Sequence, residues 1–484
     1  MLGFGKRKDS TQNRLPQVFF VNTLSGKKEL FISQKPGIAL MYTCGPTVYG
    51  PPHIGNLRSY IFSDTISRTL AVAGYNVKRV INITDFGHLV SDGDEGEDKM
   101  TKGLRRDGLE LSLKNMRIMA EKYTSIFLED LDELNINTEQ ITFPRASDFI
   151  PEQIALIKTL EQKGYAYRTR EGVYFDTSRF PNYGKLGGIN LSGQQENARV
   201  VQNKEKRNPA DFVLWKSDNK LGWNSPWGLG FPGWHIECSA MSRSLLGQEI
   251  DIHTGGEDHI AVHHNNEIAQ SEAASGRTFV HYWMHNAFLN MDGDKISKSL
   301  GNVVYLSDIV KRGFNPLSLR YFFLQAHYRT PLSFSWDSIA GASSALERLW
   351  NLSREIARES KLKSAHSEVR ERFLATVRDD LATSQALGIL WDSIKSEEFT
   401  PEEKWGLIED ADSHFGLSLV NPPEQQALSA ADIPKEIKEM LARREAARTS
   451  KDFREADRIR DEILSSGYRV DDGPKGPVLT RTAL

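Results

Sequence analysis

Apolar and polar positions follow two different periods along this chain, and the switches between them mark its elements. Residues 18–21 and 30–32, separated by Ser25-Gly26, have the short apolar runs and turn chemistry of a hairpin. Ile38–Thr43 is a nearly continuous apolar run, which predicts a buried strand. Leu57, Ile61, Phe62, Ile66 and Leu70 then recur at helical spacing, with Gly74 just beyond, and 77–83 returns to a strand that ends at Thr84-Asp85. Residues 91–102 (SDGDEGEDKMTK) are too charged for a core and predict a mobile loop. Helical periodicity runs over 110–136 and 150–163. Between about 165 and 225 short β-like runs (173–175, 212–215) sit among Gly, Asn and Ser, the texture of an insertion that splits a larger unit. The α/β rhythm resumes with a helix over 234–246, a strand over 250–253, a helix over 258–274 and a strand over 278–289. From about 303 helices dominate: Ile339, Leu346, Leu349, Trp350 and Ile356 keep one stripe, and helical pattern continues through 367–395. Pro422-Pro423 opens a linker. Two amphipathic helices follow, one around Ile433, Ile437, Met440 and Leu441, the other around Phe453, Ala456, Ile459 and Ile463.

Composition narrows the class. A chain of 484 residues suggests two to four domains. With 39% hydrophobic and 26% charged residues it has the make-up of a soluble globular protein. A net charge of −3 leaves no global basic footprint, so any nucleic-acid contact must come from local patches. Residues 1–17 form a polar lead with basic residues but no apolar run behind them, so no secretory signal is expected, and no apolar stretch is long enough to span a bilayer. Two cysteines make no disulfide framework, which points to a cytoplasmic protein with reduced thiols.

Four stretches carry candidate chemistry. YTCGPTVYGPPHIGN (42–56) runs from a strand end through a loop broken by Gly45, Gly50 and Pro51-Pro52 to a helix start, where backbone N–H groups and the dipole favour an anion such as phosphate. GDKISKSLGN (293–302) sets Lys295 and Lys298 around Ser297, with Ser299 next, suiting a polyphosphate whose charge grows during displacement. PGWHIECS holds Cys238. HHNNEIAQS places His263 and Glu267 at i and i+4 on one helix face, able with Cys44 and Cys238 to hold one metal ion; neighbouring His264 is an alternative to His263.

Together these stretches resemble the HIGH and KMSKS signatures of class I aminoacyl-tRNA synthetases and, with the two cysteines, the cysteinyl-tRNA synthetases, over about residues 18–484. The resemblance implies an α/β fold: a Rossmann-like catalytic domain split by an insertion, then a helical bundle and a small anticodon-binding module. It implies a lead at 1–17, catalytic halves at 18–141 and 226–302, a connective insertion at 142–225, a stem-contact linker at 303–345, a bundle at 346–421 and a C-terminal module at 422–484. One zinc ion per chain would be held by Cys44, Cys238, His263 and Glu267. Such an ion binds a thiolate directly and gains little from a serine hydroxyl, so no editing domain is expected. The implied reaction joins L-cysteine to ATP as cysteinyl-adenylate, then to the 3′ end of cysteine tRNA, with Mg²⁺ arriving on ATP. His53, Gly55, Asn56, Gly255, Gly256, Asp258, Lys298 and Ser299 would contact ATP, Asp258 reaching ribose unless it is a helix N-cap. His53, Asn56, Lys295 and Lys298 would be catalytic, and Cys44, Thr47 and Trp234 would line the amino-acid pocket. A monomer without membrane contact is expected.

Three positions depart from the family pattern. Asn56 replaces a histidine and Ile296 a methionine. After Thr84-Asp85 the chain reads Phe86-Gly87-His88-Leu89, where an acidic pair is common, so no role is assigned at 86–89. The alternatives are a cysteine–aminosugar ligase of mycothiol synthesis, which shares the core and metal but lacks the anticodon module, and a catalytically silent tRNA-binding paralogue. The presence of residues beyond 422, with Arg443, Arg444, Arg448, Lys451 and Arg454 able to follow an RNA backbone, favours the synthetase; the presence of His53, Lys298 and every metal ligand argues against silence.

Overall fold

The apolar run at Ile38–Thr43 forms β1, the middle strand of a five-stranded sheet. This computed structural model describes residues 15–87, 99–188, 205–291, 294–295, 303–424, 433–473 and 476–481. β2 is Asn76–Ile81, β3 Ile141–Thr142, β4 Ile250–Gly256 and β5 Val280–Asn286; the order across the sheet is β5-β4-β1-β2-β3, every pair parallel. Both faces of such a sheet are covered, which is why β1 reads as an apolar run rather than as alternation. Strand order reverses between β1 and β4, and in open parallel sheets the crevice beyond the strand ends at that point receives ligands.

The helices that flank the crevice are α1 (Ile54–Val72), α2 (Lys99–Arg106), α3 (Leu113–Glu133), α4 (Trp234–Leu245) and α5 (His263–Ser275). The helical stripe expected after residue 56 is buried along α1: Leu57, Ile61, Phe62, Ile66 and Leu70 are at most 5% exposed. One carboxylate locks α1 to its surroundings. Asp64 accepts from Arg68 at 2.7 Å, from Arg79 of β2 at 3.0 Å and from Arg320 at 2.6 Å, and these arginines hold its carboxyl well below the usual carboxylate range despite burial. Arg320 also donates to the carbonyls of Leu134 and Phe415, so the cluster joins α1, β2, the end of α3 and the helical region.

Several expectations change. The stretch 91–102 is no loop at its C-terminal end: 99–102 begin α2, and Met100 is fully buried, an apolar anchor that the surrounding charges mask in the sequence. Residues 88–98, like 1–14 of the lead expected at 1–17, lie outside the described residues. The helix expected over 258–274 breaks at Val262 (φ −129°, ψ −64°) into Asp258–Ala261 and α5. The strand expected over 278–289 ends at Asn286; Leu289–Met291 belongs to another sheet, paired with Leu332–Phe334. The antiparallel sheet of the insertion spans Ala166–Arg168 to Gly228–Pro232, beyond 225, because its last strands pair with each other and with Phe212–Ser217.

Beyond the sheet, Trp336–Ser360, Glu368–Arg378, Thr383–Lys395 and Pro401–Phe415 pack as helices, and the stripe from Ile339 to Ile356 is buried. Lys435–Thr449 and Phe453–Ser465 enclose a small core of Ile437, Ile459 and Ile463, closed by a hairpin, Tyr468–Gly473 with Gly476–Arg481, that adds Val470 and Leu479. Phe453, counted in the apolar face of its helix from its spacing, is the first residue of that helix and is 63% exposed. No helix among the described residues is long and apolar enough to cross a membrane.

Candidate metal centre and active site

Cys44 is the first residue beyond β1, and the chain turns sharply there because Gly45 packs on the end of β2. A Cβ at Gly45 would fall 1.6 Å from the Asn82 carbonyl oxygen, so only glycine fits, and Asn82 Oδ1 accepts from the Gly45 N–H at 2.8 Å. Cys238 lies one turn into α4 and faces the same point. His263 and Glu267 come from the first turns of α5, where the break at Val262 aims them inward. All four are buried, and one donor atom from each lies within 4.8 Å of the others. His263 Nε2 stands 3.0 Å from Glu267 Oε1, and Cys44 Sγ stands 3.8 Å from the same oxygen.

The four side chains set one another's protonation. Cys238 is drawn down to about 7, first by the hydrogen bond it accepts from Cys44 and then by His263. Cys44 is pushed well up by burial and by the charge on Cys238. Burial would raise Glu267, yet His253 and His263 hold its carboxyl down to about 2. Burial opposes charge on His263, but its bonds to Cys238 and Glu267 raise it to about 10. A second set, Cys44, His253, His264 and Glu267, also lies within 4.8 Å. It has one thiol rather than two, and His264 is committed on its other side: Nδ1 contacts His285 at 2.7 Å, and His285 Nδ1 contacts Thr23 Oγ1 at 2.8 Å.

Sequence reasoning did not reach the support behind the four residues. His253 Nε2 contacts Glu267 Oε2 at 3.1 Å, and His235 Nδ1 contacts His263 Nδ1 at 2.9 Å. Such outer partners fix ligand orientation. His235 lay inside the quoted motif, one residue from Trp234, and so could have been found; His253, a lone histidine in a buried strand, carried no spacing signal. The Trp234 ring covers His263 at 4.6 Å between centroids. Thr47 bridges to Thr84 at the rim of the crevice.

The opposite wall is the start of α1. His53 is its N-cap: Nδ1 accepts from the Asn56 N–H and Asn56 Oδ1 accepts from the His53 N–H, each at 3.2 Å, a capping box. Position 56 therefore has a structural task in addition to any ligand contact. Gly55 brings the backbone against His53. Ile54 N–H donates to Val304 O at 2.9 Å and His53 bridges to Tyr305, so the chain leaving the lysine motif is seated on this helix start. The backbone of Lys295 pairs with Asn290; Lys298 and Ser299 lie outside the described residues. Gly255 and Gly256 end β4, and a Cβ at Gly255 would lie 2.6 Å from His259 Nδ1. Asp258 is exposed in the first turn of its short helix, whose N-cap is Glu257, so the alternative reading of Asp258 as the N-cap does not hold.

Asp85 is a different case. Its carboxylate is buried and accepts from the N–H and hydroxyl of Ser147 at 2.9 and 2.5 Å, so this strand-end acid is sealed by the protein rather than turned to a ligand. Phe86 is buried against Trp223 of the insertion sheet.

A family model described as the tRNA synthetases class I (C) catalytic domain matches residues 31–344, and one described as the cysteinyl-tRNA ligase anticodon binding domain matches 430–476. The chain belongs to the cysteinyl-tRNA ligase family. As a member it is a ligase of the tRNA-charging class. It is 45% identical to Cysteine–tRNA ligase 1 of Burkholderia lata over 94% of this chain and 95% of that one. It is 41% identical to the cysteine–tRNA ligase of Treponema denticola over 93% and 97%. Among solved structures, Mycobacterium tuberculosis methionyl-tRNA synthetase in complex with methionyl-adenylate superposes with a TM-score of 0.56 at 17% identity, over 80% of this chain and 92% of that one, a likeness of fold. In the region of the anticodon-domain match, Arg443, Arg448, Lys451 and Arg454 are exposed, whereas Arg444 is 3% exposed and paired with Glu445 at 3.0 Å, so it is not available to an RNA backbone.

Proposed function

We propose that the chain charges cysteine tRNA with L-cysteine in two steps, adenylate formation and acyl transfer, and that a zinc ion held by Cys44, Cys238, His263 and Glu267 selects the amino acid. The observation that carries this reading is the convergence of two thiols, an imidazole and a carboxylate on one buried point beside the crevice of a class I fold. The donor set fits zinc, which takes sulfur, nitrogen and oxygen ligands together. When bound there with a position open, the ion would take a cysteine side chain as thiolate, where a serine hydroxyl, harder and far less acidic, gains little. Hydrophobic pockets separate near-isosteres by only about 10²-fold, so a site that reads sulfur directly removes the need for hydrolytic proofreading.

The chain's own residues do the rest in this reading. Trp234 and Thr47 enclose the amino acid beside Cys44. The α1 N-terminus, with His53, Gly55 and Asn56, receives the ATP phosphates, since the positive end of the helix dipole favours anions there. Gly255 and Gly256 let adenosine approach the end of β4, and Asp258 reaches ribose. The cysteine carboxylate attacks the α-phosphate, pyrophosphate leaves, and Lys295 and Lys298 stabilise the charge that develops on the phosphoryl oxygens, with Ser299 beside them. Mg²⁺ arrives with ATP. The tRNA 3′-terminal hydroxyl then displaces AMP. The module matched at 430–476 and the exposed Arg443, Arg448, Lys451 and Arg454 favour a tRNA acceptor over an aminosugar.

Pyrophosphate exchange into ATP with cysteine, serine or no amino acid, before and after chelation, followed by charging of cysteine tRNA, tests this. Cysteine-specific exchange that chelation abolishes and zinc restores, with charging, is expected. Exchange without charging would replace tRNA by a small acceptor; no exchange from folded, zinc-loaded protein would sink the mechanism.

A further inference from the structure

The α2 helix bridges the two walls of the pocket. At its N-terminal end the Lys99 ammonium sits 5.2 Å from the centroid of the Trp234 ring, and that ring lies 4.6 Å from the His263 ring. At its other end Arg106 donates to the Tyr49 carbonyl at 2.7 Å, to the Tyr123 hydroxyl at 2.7 Å and to Asp107 at 2.9 Å. Between them Gly103 lies against Tyr49, where a Cβ would come within 3.0 Å of its carbonyl oxygen, and Met100 and Leu104 are buried. The helix is thus fixed to the loop that leads from Cys44 to His53, and its first residue is held over the aromatic roof of the metal-ligand set.

We infer that Lys99 is a specificity-determining residue that receives the carboxylate of the amino-acid substrate. This rests on the proposed function above. The metal-ligand set takes up the side chain of the amino acid, so its carboxylate must find its counter-charge elsewhere in the pocket, on a cation within reach of that set. The reach is right. Lys99 Nζ is no more than about 10 Å from the His263 ring by the two ring distances. A metal–thiolate bond of about 2.3 Å, a cysteine spanning roughly 4–5 Å from sulfur to carboxylate and an ion pair of about 2.8 Å together cover that distance. The position over an indole face favours a cation that is held in place before the substrate arrives.

The test compares L-cysteine with cysteamine, which keeps the thiol and amine and lacks the carboxylate, by calorimetry on the zinc-loaded full chain. Lys99→Met and Lys99→Arg are measured beside the unaltered protein. The unaltered protein is expected to bind cysteine at least about tenfold more tightly than cysteamine, as one charge-assisted contact supplies. Lys99→Met should close that gap to within about twofold while leaving cysteamine affinity unchanged, and Lys99→Arg should reopen it. A Lys99→Met protein that weakens both ligands equally would make Lys99 a prop for Trp234 and overturn the inference, as would one that keeps the gap. An unaltered protein that binds neither ligand would overturn the proposed function itself.

Discussion

Two clusters of ionisable side chains are buried within the catalytic half of this chain, and they are built on opposite plans. Around Asp64 three arginines surround one carboxylate, and each guanidinium has further hydrogen-bond acceptors in the protein, so the carboxylate is paired from within. Around Glu267 the partners are two histidines, His253 and His263, with the thiols of Cys44 and Cys238 beside them, side chains of the types that ligate metal ions. A buried charge is tolerated only when paired or coordinated. The first cluster meets that demand with guanidinium groups and serves the fold; the second is made of two thiols, imidazoles and a carboxylate, the donor types that hold a metal ion.

The largest effect should come from removing a donor at the second cluster. Cys238→Ser is expected to lose the bound metal and more than about 100-fold in cysteine-dependent pyrophosphate exchange, since even outer partners of metal ligands cost 10–100-fold. Metal analysis and exchange rates on the same preparation check it; full zinc content with normal exchange would place the metal elsewhere. At the first cluster Asp64→Asn leaves three arginines without their counter-charge and should cost about 3–5 kcal/mol of stability by denaturant unfolding, with exchange per folded molecule preserved. Acid sharpens the contrast. The folded pKa of Asp64 lies below its unfolded value of about 3.9, so its stabilisation is fully present above that pH and is lost as pH falls toward the folded value. The stability gap between the unaltered protein and Asp64→Asn should therefore shrink below about pH 4.

The next effect separates support from ligation. His253→Phe keeps a ring stacked on Trp283 but removes the contact to Glu267 Oε2. It should weaken zinc 10–100-fold in competition with a chelator while leaving one ion bound at saturation. That His253 needed a structure to be noticed shows where sequence reading stops. That Cys44, Cys238, Glu267 and a histidine just before it come together was legible because each sits in a dense local motif. The choice between His263 and His264 was not legible, since it depends on how the break at Val262 rotates α5. The strand β1 announced itself as an apolar run. Ile141–Thr142 is too short for any period, and Met100 is one apolar residue in a charged stretch, so the fifth strand and the start of α2 emerge only from packing.

The smallest effect concerns a residue that stands on both sides of the contrast. Asn56 closes the capping box with His53 through Oδ1, and its amide is proposed to meet phosphate. Asn56→Ala removes both and should cost about 1 kcal/mol of stability along with several-fold in KM for ATP. Asn56→Asp separates them. The carboxylate still accepts from the His53 N–H, and negative charge at a helix N-terminus is favourable, so stability should hold. The same charge repels phosphate and offers it no donor, so KM for ATP should rise further than in Asn56→Ala while kcat for charging changes less. If instead Asn56→Asp leaves KM for ATP unaltered, Asn56 is a cap alone, and His53 with the two motif lysines must carry the phosphate contacts unaided.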